Sequence, residues 1–294
     1  MKNVKTGHKQ PIVCLDAGHC GKYNQSPVVK SYYESEMNWK LHLLLKAALE
    51  KYGIKVITTR ANKDKDLDLE ARGKASKDCD LFTSLHSNAA DAESVKYVVA
   101  MYQVDDNCGE MDEQSKAVAG MLAKTVGTVM GLPYQTWSTK SSSDRDGNGY
   151  KDDYYGVLRG AHTVHTPGII IEHGFHTHTA TAKWLQDENN LKKLAEAEAK
   201  TIAEWFDVKK TEETTTKKED GCEVILPMLS KGSKGDSVRA LQILLIGYGY
   251  SCGKWGADGD FGGDTEAAVK AYQKKNKLDV DGIVGSATWG ALLK

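Results

Sequence analysis

Two histidines and two glutamates stand where an α/β chain gathers its chemistry. His19 follows the apolar run 12–15 through Asp16-Ala17-Gly18, His86 closes the run 81–85, and Glu172 closes the run 168–171. The first run is short and apolar and reads as a buried strand, the other two read as strands as well, and in open α/β sheets function collects beyond the carboxyl ends of such strands. Glu34 lies just before the helical pattern 37–49, which must start from that same edge. Two imidazoles and one carboxylate with an open fourth position form the ligand set of a catalytic zinc, and a second carboxylate nearby supplies a general base. Each residue alone has a plainer reading. A histidine at a strand end is usually a hydrogen-bonded structural group, and Glu34 suits a first helical turn, where the dipole favours negative charge. The arrival of all four at one sheet edge favours the metal. Neither HExxH nor HxxE occurs, so ligation from a single helix is excluded.

Other candidates are weaker. His162, His165, His173, His176 and His178 cluster in sequence; His173 alternates away from Glu172 on a strand, and supporting or surface roles fit the rest better than a second metal. Arg60 and Asn88 could orient a ligand or make a structural hydrogen bond. The run 144–153 places Asp144, Asp146, Asn148 and Asp152 at calcium-loop positions 1, 3, 5 and 9, with Gly149 at 6. Tyr155 replaces the usual bidentate glutamate, and Asp153 is the available substitute, so Ca2+ competes there with a solvated acidic turn.

The elements that must hold these groups alternate. Strand-like runs at 12–15, 54–59, 81–85 and 168–171 are separated by helical patterns at 37–49, 67–75, 117–130 and 191–206. That alternation predicts an α/β fold, a mostly parallel sheet flanked by helices. Residues 209–222 hold no large apolar side chain until Cys222 and read as an extended linker. They divide the chain into a body at 10–208 and a compact segment at 223–294. The segment carries amphipathic helical patterns at 238–245 and 265–273, with Asp264 as the expected N-cap of the second, and a short third helix starting at Ser286 or Thr288.

Composition narrows the partners. The 294 residues carry 39 Lys+Arg against 40 Asp+Glu, a formal net charge of −1, so binding to nucleic acid or an anionic membrane by bulk charge is excluded. No stretch approaches the ~20 apolar residues of a membrane span. Residues 1–10 are polar with no apolar core behind them, so no secretory signal peptide is expected and synthesis in the cytoplasm is. The six cysteines follow no CxxC spacing and are expected to be free thiols, Cys14 and Cys79 packed as small hydrophobes.

An ordered set of short pieces carries a resemblance. Leu15-Asp16-Ala17-Gly18-His19, Glu34 with Met37-Asn38-Trp39, and Val56-Ile57-Thr58-Thr59-Arg60 are followed by Ser84-Leu85-His86-Ser87-Asn88-Ala89 and Ile171-Glu172-His173-Gly174-Phe175. Over about residues 10–207 the chain resembles the zinc-dependent N-acetylmuramoyl-L-alanine amidases of the type 3 family, which cleave peptidoglycan. The resemblance implies His19, Glu34 and His86 as Zn2+ ligands and Glu172 as the catalytic carboxylate. It implies hydrolysis of the amide between the lactyl group of N-acetylmuramic acid and L-alanine of the stem peptide. Two positions depart from the family pattern: Cys20 replaces a second glycine, and Thr177-His178 replaces a small polar pair ending in asparagine.

The C-terminal segment resembles a small all-α three-helix peptidoglycan-binding domain through Gly232-Ser233-Lys234-Gly235-Asp236, Leu241-Gln242, Asp258-Gly259-Asp260-Phe261-Gly262 and Asp281-Gly282-Ile283-Val284-Gly285. Trp255, Trp289 and Tyr248 are its candidate sugar-stacking aromatics, with core packing the better role for Trp289. A wall hydrolase without an export signal is expected to be of the phage endolysin type, released by host-cell lysis; a bacterial autolysin is the alternative. A zinc peptidase cutting within the stem peptide and a non-catalytic wall-binding protein are the rival functions.

Overall fold

A computed structural model describes residues 8, 10–104, 109–145, 149–209 and 226–293. The chain divides into two compact units, Met1–Glu213 and Thr214–Lys294. Apart from Lys209, the expected linker lies outside the described residues.

The first unit is built on six strands: β1 (Ile12–Ala17), β2 (Lys55–Thr58), β3 (Leu81–Asn88), β4 (Val98–Tyr102), β5 (Tyr134–Trp137) and β6 (Gly168–Phe175). They lie in the order β2-β1-β3-β6-β4-β5, and the pairing of β4 with β6 is antiparallel while the other four are parallel. Six helices accompany them: α1 (Glu34–Glu50), α2 (Leu69–Lys74), α3 (Gly109–Met130), α4 (Gly156–Thr163), α5 (Thr179–Gln186) and α6 (Glu188–Trp205). This is the expected α/β class, with a mostly parallel sheet covered on both faces.

That double cover explains why β1 and β6 are apolar at consecutive positions, over 12–15 and 169–171. Val13, Leu15, Leu81, Leu85, Ile169 and Ile171 pack with Leu41 and Leu45 of α1, Leu122 of α3 and Ile202 of α6. Cys14, Phe82 and Ile170 point the other way, onto Val157, Leu158 and Ala161 of α4. The period of two therefore sends Asp16, Ser84, His86 and Glu172 to the α4 side, and His173 to the α6 side. Cys14 and Cys79 are buried in the α4-side cluster as free thiols, as expected from their surroundings.

Helix α1 begins with Glu34 and Glu36 in its first turn, where negative charge is favoured. It ends at Glu50, and Gly53 beyond it, with φ 70°, lets Ile54 N–H reach back to Leu49 O at 3.3 Å while its own N–H donates to Glu50 O at 2.9 Å. Helix α6 starts at Glu188, earlier than its apolar pattern, because Asp187 accepts from Asn189 N and Asn190 N at 2.8 and 3.1 Å. Strands β4 and β5 and helices α4 and α5 are not among the elements expected from the sequence. β5 is an exposed edge strand, and each of the two helices has only eight residues.

The second unit packs α7 (Asp236–Gly247), α8 (Gly263–Lys275) and α9 (Ser286–Leu292) around Val238, Leu241, Leu245, Phe261, Val269, Tyr272 and Trp289. The N-cap of α8 is Gly262, not Asp264. The extended Gly262 backbone makes the cap, so Asp264 falls within the first turn and serves the dipole instead. One device is used twice. Gln242 Nε2 donates to Asp258 Oδ1 and Thr265 Oγ1 at 2.9 and 3.0 Å, and Gly259 N–H donates to Gln242 Oε1 at 2.8 Å. Gln273 makes the same set with Asp281, Thr288 and Gly282 at 2.8, 3.2 and 2.9 Å. The aspartates of these loops thus serve turn geometry.

Candidate functional site

Strands β1, β3 and β6 are adjacent and parallel, so their carboxyl ends open on one edge. His86 and Glu172 are register partners on β3 and β6, and His19 follows β1 by two residues. The His19 backbone has φ 61°, a left-handed conformation uncommon for a residue with a side chain. Its ring stacks on Tyr23, centroids 4.7 Å apart, and meets the His86 ring edge-on at 4.9 Å. Gly18 makes room for this: a Cβ there would overlap the His86 ring.

Glu34 enters from the first turn of α1. His86 Nδ1 lies 2.9 Å from Glu34 Oε1, and His19 Nε2 lies 3.3 Å from Oε2. One ligand atom from each of His19, Glu34 and His86 falls within 4.8 Å of the others, and no other such group occurs among the described residues. The donors are two neutral-capable imidazoles and a carboxylate gathered at a point, which is the chemistry that a divalent zinc fits.

The carboxylate is held firmly. Asn24 Nδ2 donates to Glu34 Oε2 at 2.6 Å, and the Ser87 N–H donates to Oε1 at 3.1 Å. Burial pushes the Glu34 carboxyl up, but hydrogen bonds from His19 and His86 outweigh it and hold the group well below the usual carboxylate range. Glu172 contrasts with it. Part of its side chain remains open to solvent, yet Oε2 is shielded and has no hydrogen-bond partner. Burial, and behind it the charge of Glu34, push this carboxyl well above its usual range. Two carboxylates with environments that separate them are an arrangement suited to one ligand and one proton carrier.

The histidine cluster disperses into separate tasks. His173 Nε2 lies 2.7 Å from Glu198 Oε1 on α6, both wholly buried, while its Nδ1 faces His86 O at 2.8 Å. His176 Nδ1 and Tyr32 Oη both reach Ser87 Oγ, at 3.0 and 2.7 Å. His178 caps α5, His162 lines a cleft with Glu70 and Arg159, and His165 turns the chain after α4 with φ 57°. Arg60 donates to Ala17 O at 2.5 Å and lies over the Trp39 ring, and Asn88 Oδ1 accepts from Ala89 N at 2.8 Å, so both serve the loops rather than the cluster.

Asp146 and Asn148 of the candidate calcium loop lie outside the described residues. Of the others, Asp144 accepts from Gly149 N at 2.8 Å, Asp152 from Arg145 N at 2.7 Å, and Asp153 from Val104 N at 2.9 Å. Backbone donors thus engage these carboxylates as an acidic turn does, and among the described residues nothing supports Ca2+ there. Both departures from the family pattern have local jobs: Cys20 Sγ donates to Lys63 O at 3.2 Å, and Thr177 Oγ1 accepts from Ala90 N at 3.2 Å. Sequence reasoning missed Asn24, Asp16 and Ser84. Asp16 was signalled by being polar in an otherwise apolar strand; Ser84, among four other polar residues of β3, carried no such signal.

Comparison with known proteins agrees with this geometry. The chain is 38% identical over 111 residues to the N-acetylmuramoyl-L-alanine amidase CwlL of Bacillus licheniformis, covering 38% of this chain and 30% of that protein. It is 42% identical over 73 residues to the zinc D-Ala-D-Ala carboxypeptidase of Streptomyces albus G, covering 25% of this chain and 29% of the other. The matches therefore span less than a third of these relatives. The fold is that of the catalytic domain of CwlV, an N-acetylmuramoyl-L-alanine amidase from Bacillus (Paenibacillus) polymyxa var. colistinus: TM-score 0.55 and 23% identity, over 68% of this chain and 100% of that one. An N-acetylmuramoyl-L-alanine amidase from Clostridium difficile 630 has TM-score 0.56 and 21% identity, over 68% and 98% of the two chains. Residues 234–292 match a peptidoglycan-binding domain. With residues 13–204 matching the N-acetylmuramoyl-L-alanine amidase family, the chain belongs to that family.

Proposed function

We propose that this chain is a zinc-dependent N-acetylmuramoyl-L-alanine amidase, cutting the amide between the lactyl group of N-acetylmuramic acid and L-alanine of the stem peptide. The observation that carries the reading is the convergence of His19, Glu34 and His86 on one point, beside a glutamate whose shielded oxygen has no partner. His19, Glu34 and His86 would hold the metal. When bound, zinc supplies Lewis acidity toward the amide carbonyl and lowers the pKa of water toward ~7. Glu172 takes the proton of the attacking water and passes it to the amine nitrogen as the amide bond breaks. Asn24 and the Ser87 N–H hold Glu34 in place, so the site needs little rearrangement between steps.

In this reading 10–208 carries the chemistry, 209–222 links, and 223–294 attaches the enzyme to the wall, which raises its effective concentration at an insoluble substrate. Delivery by host-cell lysis belongs to the same proposal. Cytoplasmic expression should lyse bacteria only once their membrane is permeabilised, and lysis without that step would refute it.

Mass spectrometry of digested wall tests the reaction. Free lactyl carboxyl groups on muramic acid are expected; new peptide termini with the lactyl amide intact would establish the peptidase instead. Glu172→Gln should bind zinc like the wild type and lose turnover by about 10²–10⁴-fold. Retained turnover removes Glu172 from the mechanism.

A further inference from the structure

Behind His86, on the side away from Glu34, a line of hydrogen bonds runs into the core. His86 Nε2 lies 3.1 Å from Ser84 Oγ, and Ser84 Oγ lies 2.8 Å from Asp16 Oδ2. Ser84 and Asp16 are completely buried on adjacent strands, as register partners on β3 and β1. The other oxygen of Asp16 accepts from Thr59 Oγ1 at 2.6 Å and faces Arg72 Nη1 at 3.5 Å. Arg72 is itself buried and also donates to Ala17 O at 3.1 Å, two residues before His19.

Donor and acceptor capacity sets the direction of this line. A carboxylate surrounded by a hydroxyl and a guanidinium can only accept, so the single proton of Ser84 points to Asp16. The Ser84 oxygen then has lone pairs alone to offer His86. Its bond to Nε2 requires the imidazole proton on that nitrogen. At the opposite edge of the ring, Glu34 Oε1 stands 2.9 Å from Nδ1 and competes for the same proton. Ser84 and Glu34 thus favour opposite tautomers, and only the one favoured by Ser84 leaves Nδ1 free to coordinate.

We infer that Ser84 and Asp16 are positioning residues for His86: they hold its proton on Nε2 and direct the Nδ1 lone pair to the point shared with His19 and Glu34. The inference rests on the zinc reading above. It requires His86 to coordinate through Nδ1, the nitrogen nearer Glu34. It also gives the buried hydroxyl of Ser84 and carboxylate of Asp16 each a partner, where leaving either unpaired is costly.

The test uses the full chain, stripped of metal and titrated with zinc against a chromophoric chelator. Ser84→Ala should weaken zinc binding by about 10–100-fold, the usual effect of removing a group that orients a ligating histidine. Ser84→Thr, which keeps the hydroxyl, should restore most of it. In the same titration His86→Ala should lose the site. An affinity for Ser84→Ala within threefold of wild type, with His86→Ala losing zinc, overturns the inference alone. Zinc affinity unchanged in His86→Ala overturns the metal reading and the inference together. A measurement on the wild type covers the case in which Ser84→Ala fails to fold. Nitrogen NMR of the zinc-loaded protein should show His86 coordinated through Nδ1 with a proton on Nε2; coordination through Nε2 refutes it.

Discussion

His42 provides a quantitative test of the helix that carries Glu34. It sits on the inner side of α1, fully buried, with Nδ1 2.6 Å from Trp39 O, so Nδ1 donates and the ring stays neutral. Burial, with the positive charge of Arg60 adding to it, lowers its pKa from 6.5 to about 4. A base with a depressed folded pKa takes up its proton in the unfolded chain first. The unfolded state therefore binds more protons between pH 6.5 and about 4, and stability rises with pH across that window. That lowering corresponds to about 3 kcal/mol, fully present above pH 6.5 and lost by about pH 4. His42→Gln keeps a donor for the Trp39 carbonyl and removes the titration. Urea denaturation of metal-free wild type and variant at pH 7, 6, 5 and 4 isolates the effect as a difference between two curves. The wild type should lose about 3 kcal/mol more than His42→Gln on going from pH 7 to pH 4. Parallel pH profiles, agreeing within about 0.5 kcal/mol, would show that His42 is protonated as easily folded as unfolded and refute the reasoning.

Two further outcomes follow from burial and exposure. Glu198→Ala leaves His173 without its partner inside the core and should cost about 3–5 kcal/mol in urea denaturation, while the double change to leucine should recover much of that; equal losses in both would show that the pair does not act as a unit. In the second unit Trp255 is 73% exposed with Lys254 Nζ 4.7 Å from its ring centroid, whereas Trp289 is buried and donates to Pro227 O. Trp255→Ala should therefore weaken sedimentation with purified wall without moving the melting temperature, and undiminished wall binding would exclude Trp255 as a contact.

The α/β class was legible in the linear sequence, and so were His19, Glu34, His86 and Glu172 as candidates, the first three of which the structure brings together. Apolar runs of strand length mark chain buried on both faces, and polar residues at their ends mark the functional edge. Glu34 could be seen as a first-turn residue because helix dipoles impose composition locally. Short or exposed elements were not legible: β5 lies exposed at the sheet edge, and α4 and α5 have only eight residues each, below the length at which an apolar pattern distinguishes helix from strand. Asp264 was misplaced because the cap is made by backbone conformation at Gly262, which composition does not report.

What the sequence determines by itself is what local physics writes into it: strand and helix periods, turn residues, the neutral charge balance, and the set of metal-capable side chains. Tertiary structure alone decides which of them meet. The period of two puts Glu172 beside His86 and its neighbour His173 on the opposite face, where Glu198 waits 25 residues further along. The order β2-β1-β3-β6-β4-β5 makes Asp16 and Ser84 neighbours across 68 residues, behind a histidine that neither contacts in sequence. Such pairings depend on strand order and register, which are set by how whole faces bury together and leave no mark on any short stretch of chain.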